Sequence, residues 1–150
     1  MDDDQPERIY TQIMQFATSI NSAHQLRCHA ISGDFNMDKL LDELTKFYNS
    51  PEYDPEMDVL WDLRHLDGLA GIATPELNKL VTLESRRWIS SQPRRAALVV
   101  ARMVDFGMAR MYEMRMESVS KQEIRVFTDF EQARQWLGTN NHPQPDWKEE

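Results

Sequence analysis

Six apolar residues in a row, Ala96-Ala97-Leu98-Val99-Val100-Ala101, constrain this chain more than any other feature. The run is far short of the roughly 20 residues that cross a bilayer, and too uniformly apolar for a strand with one wet face. It is the pattern of an inner strand of a parallel sheet, buried on both sides by helices. Met57 to Arg64 carries the same signature, with Val59, Trp61 and Leu63 on one face and Leu60 on the other.

The segments between and around these strands supply the helices. Asn36 is a good N-cap, and Met37, Leu40, Leu41, Leu44, Phe47 and Tyr48 follow at helical spacing until Pro51 ends the helix. Thr74-Pro75-Glu76 starts a second helix, with Thr74 as hydroxyl cap and Leu77, Leu80, Val81 and Trp88 as its buried stripe. Asp105 is expected to cap a third, in which Met108, Met111 and Tyr112 share a face while Met114 and Met116 look partly elsewhere. Glu123 to Phe127 is a last strand. Thr128-Asp129-Phe130-Glu131 has capping-box spacing for a closing helix with Ala133, Trp136 and Leu137, ended by Gly138.

Two strands precede all of this. Tyr10 to Phe16 and Leu26 to Ile31 are expected to form an antiparallel hairpin across the turn-forming Thr18-Ser19-Ile20-Asn21-Ser22, a helix from Ile9 being the alternative for the first. The order predicts an α/β domain with a mixed sheet of about five strands and four helices: an N-terminal hairpin, then strands laid parallel by right-handed crossovers. Residues 1–8, with Asp2, Asp3, Asp4 and Pro6, are expected to be a disordered acidic N-terminus, 9–138 the domain, and 139–150 a disordered tail.

Charge and cysteine content narrow the setting. Seventeen basic against 25 acidic residues give a net charge of −8, which repels nucleic-acid phosphate and anionic membranes, so neither is an expected partner. Arg86, Arg87, Arg94 and Arg95 around Trp88 form the one basic cluster, and in so acidic a chain it is expected to be a solvated loop. Cys28 is the single cysteine, no secretion segment opens the chain, and a reducing, cytoplasmic location is expected.

Catalytic signatures are missing. The five glycines are scattered without phosphate-loop spacing, no serine stands in a Gly-x-Ser-x-Gly turn, and the histidines at 24, 29, 65 and 142 lack paired ligand spacing. No catalytic residues, metal or cofactor are expected.

Three stretches, in order, resemble the SpoIIAA-like branch of the STAS fold, the fold of sulfate transporter domains and anti-sigma-factor antagonists. They are Val59-Leu60-Trp61-Asp62-Leu63-Arg64, Phe106-Gly107-Met108-Ala109-Arg110-Met111, and Val126-Phe127-Thr128-Asp129 through Ala133, Trp136 and Leu137. The resemblance covers roughly Tyr10 to Gly138 and implies four strand-helix turns around one sheet. In the antagonists a serine before the helix after the central strand accepts phosphate. Here that stretch is Asp67-Gly68-Leu69-Ala70-Gly71-Ile72-Ala73-Thr74, without a serine. Thr74 is its lone hydroxyl and a poor phosphoacceptor if it caps the helix.

One constellation stands where open α/β sheets collect ligands, at the carboxyl end of a central strand. Asp62, Arg64, His65 and Asp67 lead into the loop of Gly71 and the helix start at Thr74. Arg64 can clamp an anion, or pair with Asp62 and merely hold the loop. Together with Met108 and Met111 these residues are the candidate binding surface. The leading expectation is a noncatalytic regulatory or protein-binding module that engages a protein partner or self-associates through the exposed hairpin edge. A carrier or sensor of a small apolar or anionic molecule is the second, and a small acid-base enzyme using Asp62, His65 and Asp67 the third.

Overall fold

The computed structural model describes residues 12–87 and 94–138. Among these, β1 (Gln15–Asn21), β2 (Leu26–Asp34), β3 (Asp58–Asp67), β4 (Arg95–Val99) and β5 (Glu123–Phe127) form one sheet in sequential order. β1 pairs antiparallel with β2, and every later pair is parallel. Helices α1 (Met37–Tyr48), α2 (Thr74–Arg87) and α3 (Met103–Glu117) make the crossovers, and α4 (Phe130–Gly138) closes the domain. This is the mixed five-stranded, four-helix α/β architecture anticipated above. The expected disordered ends, 1–8 and 139–150, and Trp88 lie outside the described residues.

Sequential parallel strands joined by crossovers of one hand place all their helices on one face. The main core lies between α1–α3 and that face, where Val59, Trp61, Leu63 and Leu98 meet Leu44, Leu77, Val81, Tyr112 and Met116. α4 returns across the opposite face, and Phe130, Ala133 and Leu137 cover Leu60, Ala97 and Val99. β3 and β4 are therefore covered on both sides, as their apolar composition requires. β3 holds the centre and β4 lies beside it. On α4's side Leu26 and Cys28 of β2 still pack on this second core, whereas Ala17, Ser19 and Ala30 are exposed among the described residues.

Several boundaries differ from expectation. Of the expected first strand, Tyr10 to Phe16, Tyr10 and Thr11 lie outside the described residues, and β1 runs instead over Gln15–Asn21, after the non-strand residues 12–14. An edge strand needs one apolar face, and here Phe16 and Ile20 supply it with Thr18 between them. The hydroxyls that suggested a turn sit in this strand, and the turn is Ser22–His24 with Gln25 in the left-handed region at φ 52°. Asn36 caps α1 as expected, accepting from the Lys39 amide at 3.0 Å. Thr74 is not a cap: Ala73 O accepts the Leu77 amide at 3.0 Å, so Thr74 is the first helical residue and is exposed. Asp105 is likewise inside the first turn of α3, with Arg102 at the N-cap. At α4 the cap is Asp129 rather than Thr128, since Asp129 Oδ1 accepts the Glu131 amide at 2.8 Å. Met116, expected to look partly outward, is fully buried, whereas Met111 is exposed.

Candidate functional site

The carboxyl half of β3 carries the first four candidate residues, and a bulge decides how they are arranged. Ala30 pairs with Asp62 and Ser32 with His65, so Ile31 alone opposes both Leu63 and Arg64. An extra residue in a strand reverses the facing of everything after it. Leu66 thereby enters the main core beside Leu63, although the two are three residues apart. His65 and Asp67 turn to the other, exposed side and join Asp62 and Arg64 there. Simple alternation separates Asp62 from both His65 and Asp67. The signal for the bulge is the Leu63–Leu66 spacing itself, since two leucines three apart cannot share a regular strand face.

Asp62 and Arg64 are locked together. Arg64 Nε donates to Asp62 Oδ1 and Arg64 Nη2 to Oδ2, both at 2.8 Å, and the Arg64 amide donates to Oδ1 at 3.2 Å. The guanidinium also lies 4.4 Å over the Phe130 ring at the start of α4. Burial by itself raises the Asp62 pKa, but the bonds and charge of Arg64, helped by His65, outweigh it and hold the carboxyl below its ordinary range. A carboxylate with both oxygens engaged by one guanidinium is a fastener, not a proton carrier. In the acid-base reading of Asp62, His65 and Asp67, it is Asp62 that this pairing withdraws from proton transfer.

Asp67 and the β3–α2 loop continue the surface toward α3. Arg102 Nη2 lies 3.9 Å from Asp67 Oδ1 and 3.5 Å from Leu66 O, and its Nε donates to Asp105 Oδ2 at 2.9 Å. Arg102 thus ties the end of β3 to the first turn of α3, and the short helical turn Leu69–Gly71 packs on α3. Gly71 lines a groove between the starts of α1 and α2. Met108 points inward, lining an apolar cavity, and Met111 points outward. The predicted residues therefore split: Asp62, Arg64, His65 and Asp67 occupy the sheet face, while Gly71, Thr74 and the methionines belong to the helical layer.

The more telling surface was only half visible in the sequence. α3 is apolar on two sides: Ala109, Tyr112 and Met116 face the core, and Met103, Val104, Met111 and Met114 face solvent. At 100° per residue the outward four, with Gly107, fall within an arc of about 100°. Met103 is 73% exposed and Met114 58%. Arg110 and Arg115 border the stripe; Arg110 Nη1 donates to Glu113 at 2.9 Å, and Arg115 Nη1 donates to the side-chain oxygen of Asn78 at 2.9 Å.

No family model and no curated protein sequence matches the chain. Among solved structures it is similar to an uncharacterised protein of the DUF3478 family from Shewanella loihica PV-4, described as having a SpoIIAA-like fold. The superposition has a TM-score of 0.55 over 85% of this chain and 96% of that one. The fold is SpoIIAA-like. At 15% identity the likeness extends to the fold alone, and it agrees with the resemblance carried by the β3, α3 and β5–α4 residues. Among the described residues no helix is long and apolar enough to cross a membrane, and no group of acidic, histidine or cysteine side chains is arranged to hold a metal ion.

Proposed function

We propose that this SpoIIAA-like domain is a noncatalytic protein-binding module, docking a partner along the outward stripe of α3 and the adjoining Leu69–Gly71 turn. The observation that carries the proposal is the concentration of exposed apolar surface. Of the six large apolar side chains exposed among the described residues, four lie on α3 and a fifth, Val119, lies two residues past its end. Contiguous apolar surface on a soluble domain costs free energy unless something covers it. Methionines suit such a surface because their unbranched, polarisable side chains adapt to the contour they meet.

The arginines define the occupant. Arg110 is paired with Glu113, whereas Arg115, bonded to the neutral Asn78 side chain, leaves a positive charge along one border of the stripe on a chain whose net charge is −8. Its complement is an amphipathic helix with an apolar ridge and an acidic border beside Arg115, laid along α3. A cytoplasmic setting fits the single cysteine, which leaves no disulfide within the chain.

The test compares wild type, Met114→Glu and Thr74→Val, each purified gently from the host and weighed by native mass spectrometry. The expected result is a stoichiometric protein partner with wild type and Thr74→Val, and its loss with Met114→Glu at unchanged thermal stability. A chain that travels alone, a homodimer in its place, or a partner retained by Met114→Glu each overturns the proposal.

A further inference from the structure

A second feature, independent of the outward face of α3, lies beneath it. Between the sheet and helices α2 and α3 is a cavity of about 50 Å³, and its lining is almost wholly apolar. It is several times the roughly 10–15 Å³ that admits a water, but its walls offer water almost no hydrogen-bond partners, and apolar cavities of this kind stay dry and take up apolar ligands. Trp61, Leu66, Leu69, Leu77 and Ala109 are among its fully enclosed walls.

The cavity has a direction. Phe35, Ile72, Leu80 and Met108 are the lining residues that keep contact with solvent, so they mark its mouth. Phe35 and Ile72 also form the inner wall of the groove that contains Asn36, Asp38, Gly71 and Glu76. Cavity and groove are therefore two compartments sharing one wall, the inner apolar and the outer polar. The outer one lies at the first turns of α1 and α2, where Asp38 and Glu76, the latter paired with Lys79 Nζ at 3.6 Å, already supply the negative charge that helix starts attract. With Glu76 offset by Lys79, Asp38 is the carboxylate that disfavours an added anion there, and a neutral or cationic group meets no such cost.

We infer that this chain binds a small amphiphile, whose apolar end of a few carbons passes between Phe35 and Ile72 into the cavity and whose hydroxyl or amine head stays beside Asp38. Met108, unbranched and at the rim, is the side chain best able to move aside on entry.

The test titrates the full chain with n-butanol, n-butylamine and butyrate, following amide and methyl NMR signals. The expected result is saturable shifts confined to Leu69, Ile72, Leu80, Met108 and their neighbours, with the amine and alcohol at least tenfold tighter than the carboxylate. Ala109→Val, which fills the cavity, should abolish the shifts; should that variant fail to fold, Leu80→Phe at the mouth takes its place. Absence of saturable shifts with all three probes overturns the inference, as does binding that survives the filled cavity. Butyrate binding as tightly as butylamine overturns the assignment of the head group.

Discussion

Arg27 donates its Nε–H to His29 Nε2 at 3.2 Å, two residues along β2 and both enclosed by the helical layer. With Nε2 accepting, the imidazole proton sits on Nδ1 and is donated to Thr18 Oγ1 at 2.8 Å. Phe47, Tyr48 and Tyr53 surround the guanidinium at 5.4 to 5.9 Å from its centre. The polar pair thus bridges edge strand, inner strand and α1.

This arrangement predicts acid sensitivity. Burial first, and the Arg27 charge second, push the His29 pKa well below its ordinary 6.5. Below that pH the unfolded chain binds a proton that the folded protein refuses, so stability is full above about pH 6.5 and falls as pH drops beneath it. The slope contributed by this one group approaches about 1.4 kcal/mol per pH unit. Urea midpoints between pH 7.5 and 5 should fall for wild type and flatten for His29→Gln. An equal decline in both would show that His29 is not the source.

Arg64→Ala leaves Asp62 an unpaired, largely enclosed carboxylate and removes the cation from the Phe130 ring. A loss of about 1–3 kcal/mol is expected, below the full cost of a deeply buried pair because the site borders solvent. Adding Asp62→Asn should recover part of it. Chemical denaturation of the single and double variants reads the coupling directly, and strict additivity would contradict the pairing.

Cys28 should be a poor nucleophile. Burial, with Asp62 adding to it and Arg64 opposing, pushes the thiol up to about 12. At pH 7.5 on the order of one thiol in 10,000 or fewer is ionised. Iodoacetamide labelling of the folded protein is expected to be at least ~100-fold slower than in urea. Comparable rates would mean that the thiolate is accessible.

Two glycine-to-alanine changes should have opposite signs. Gly33 has φ +88°, and a Cβ there would stand 2.6 Å from Ile13 O, a backbone atom, so Gly33→Ala should cost about 2–4 kcal/mol. Gly107 sits in α3 with open space around the added carbon, and Gly107→Ala should gain about 0.5–1 kcal/mol. Thermal melts of the two variants check both.

The sequence by itself determined the layer order. Apolar β3 and β4, the Asn36 cap and the amphipathic faces of α1 and α4 act through neighbours in the chain, so each was legible locally and together they specified the α/β sheet. Helix starts at Thr74, Asp105 and Thr128 were placed one to three residues off, because several capping arrangements suit the same polar residues and packing selects among them. Tertiary structure decided how the residues of the site are arranged. The bulge at Leu63–Arg64 exists because Leu63 and Leu66 both find the core, and it sends His65 and Asp67 to the face of Asp62. Whether a methionine of α3 is wall or surface depends on where α2 and the sheet lie, and no periodicity within α3 can report that, since it is apolar on both sides.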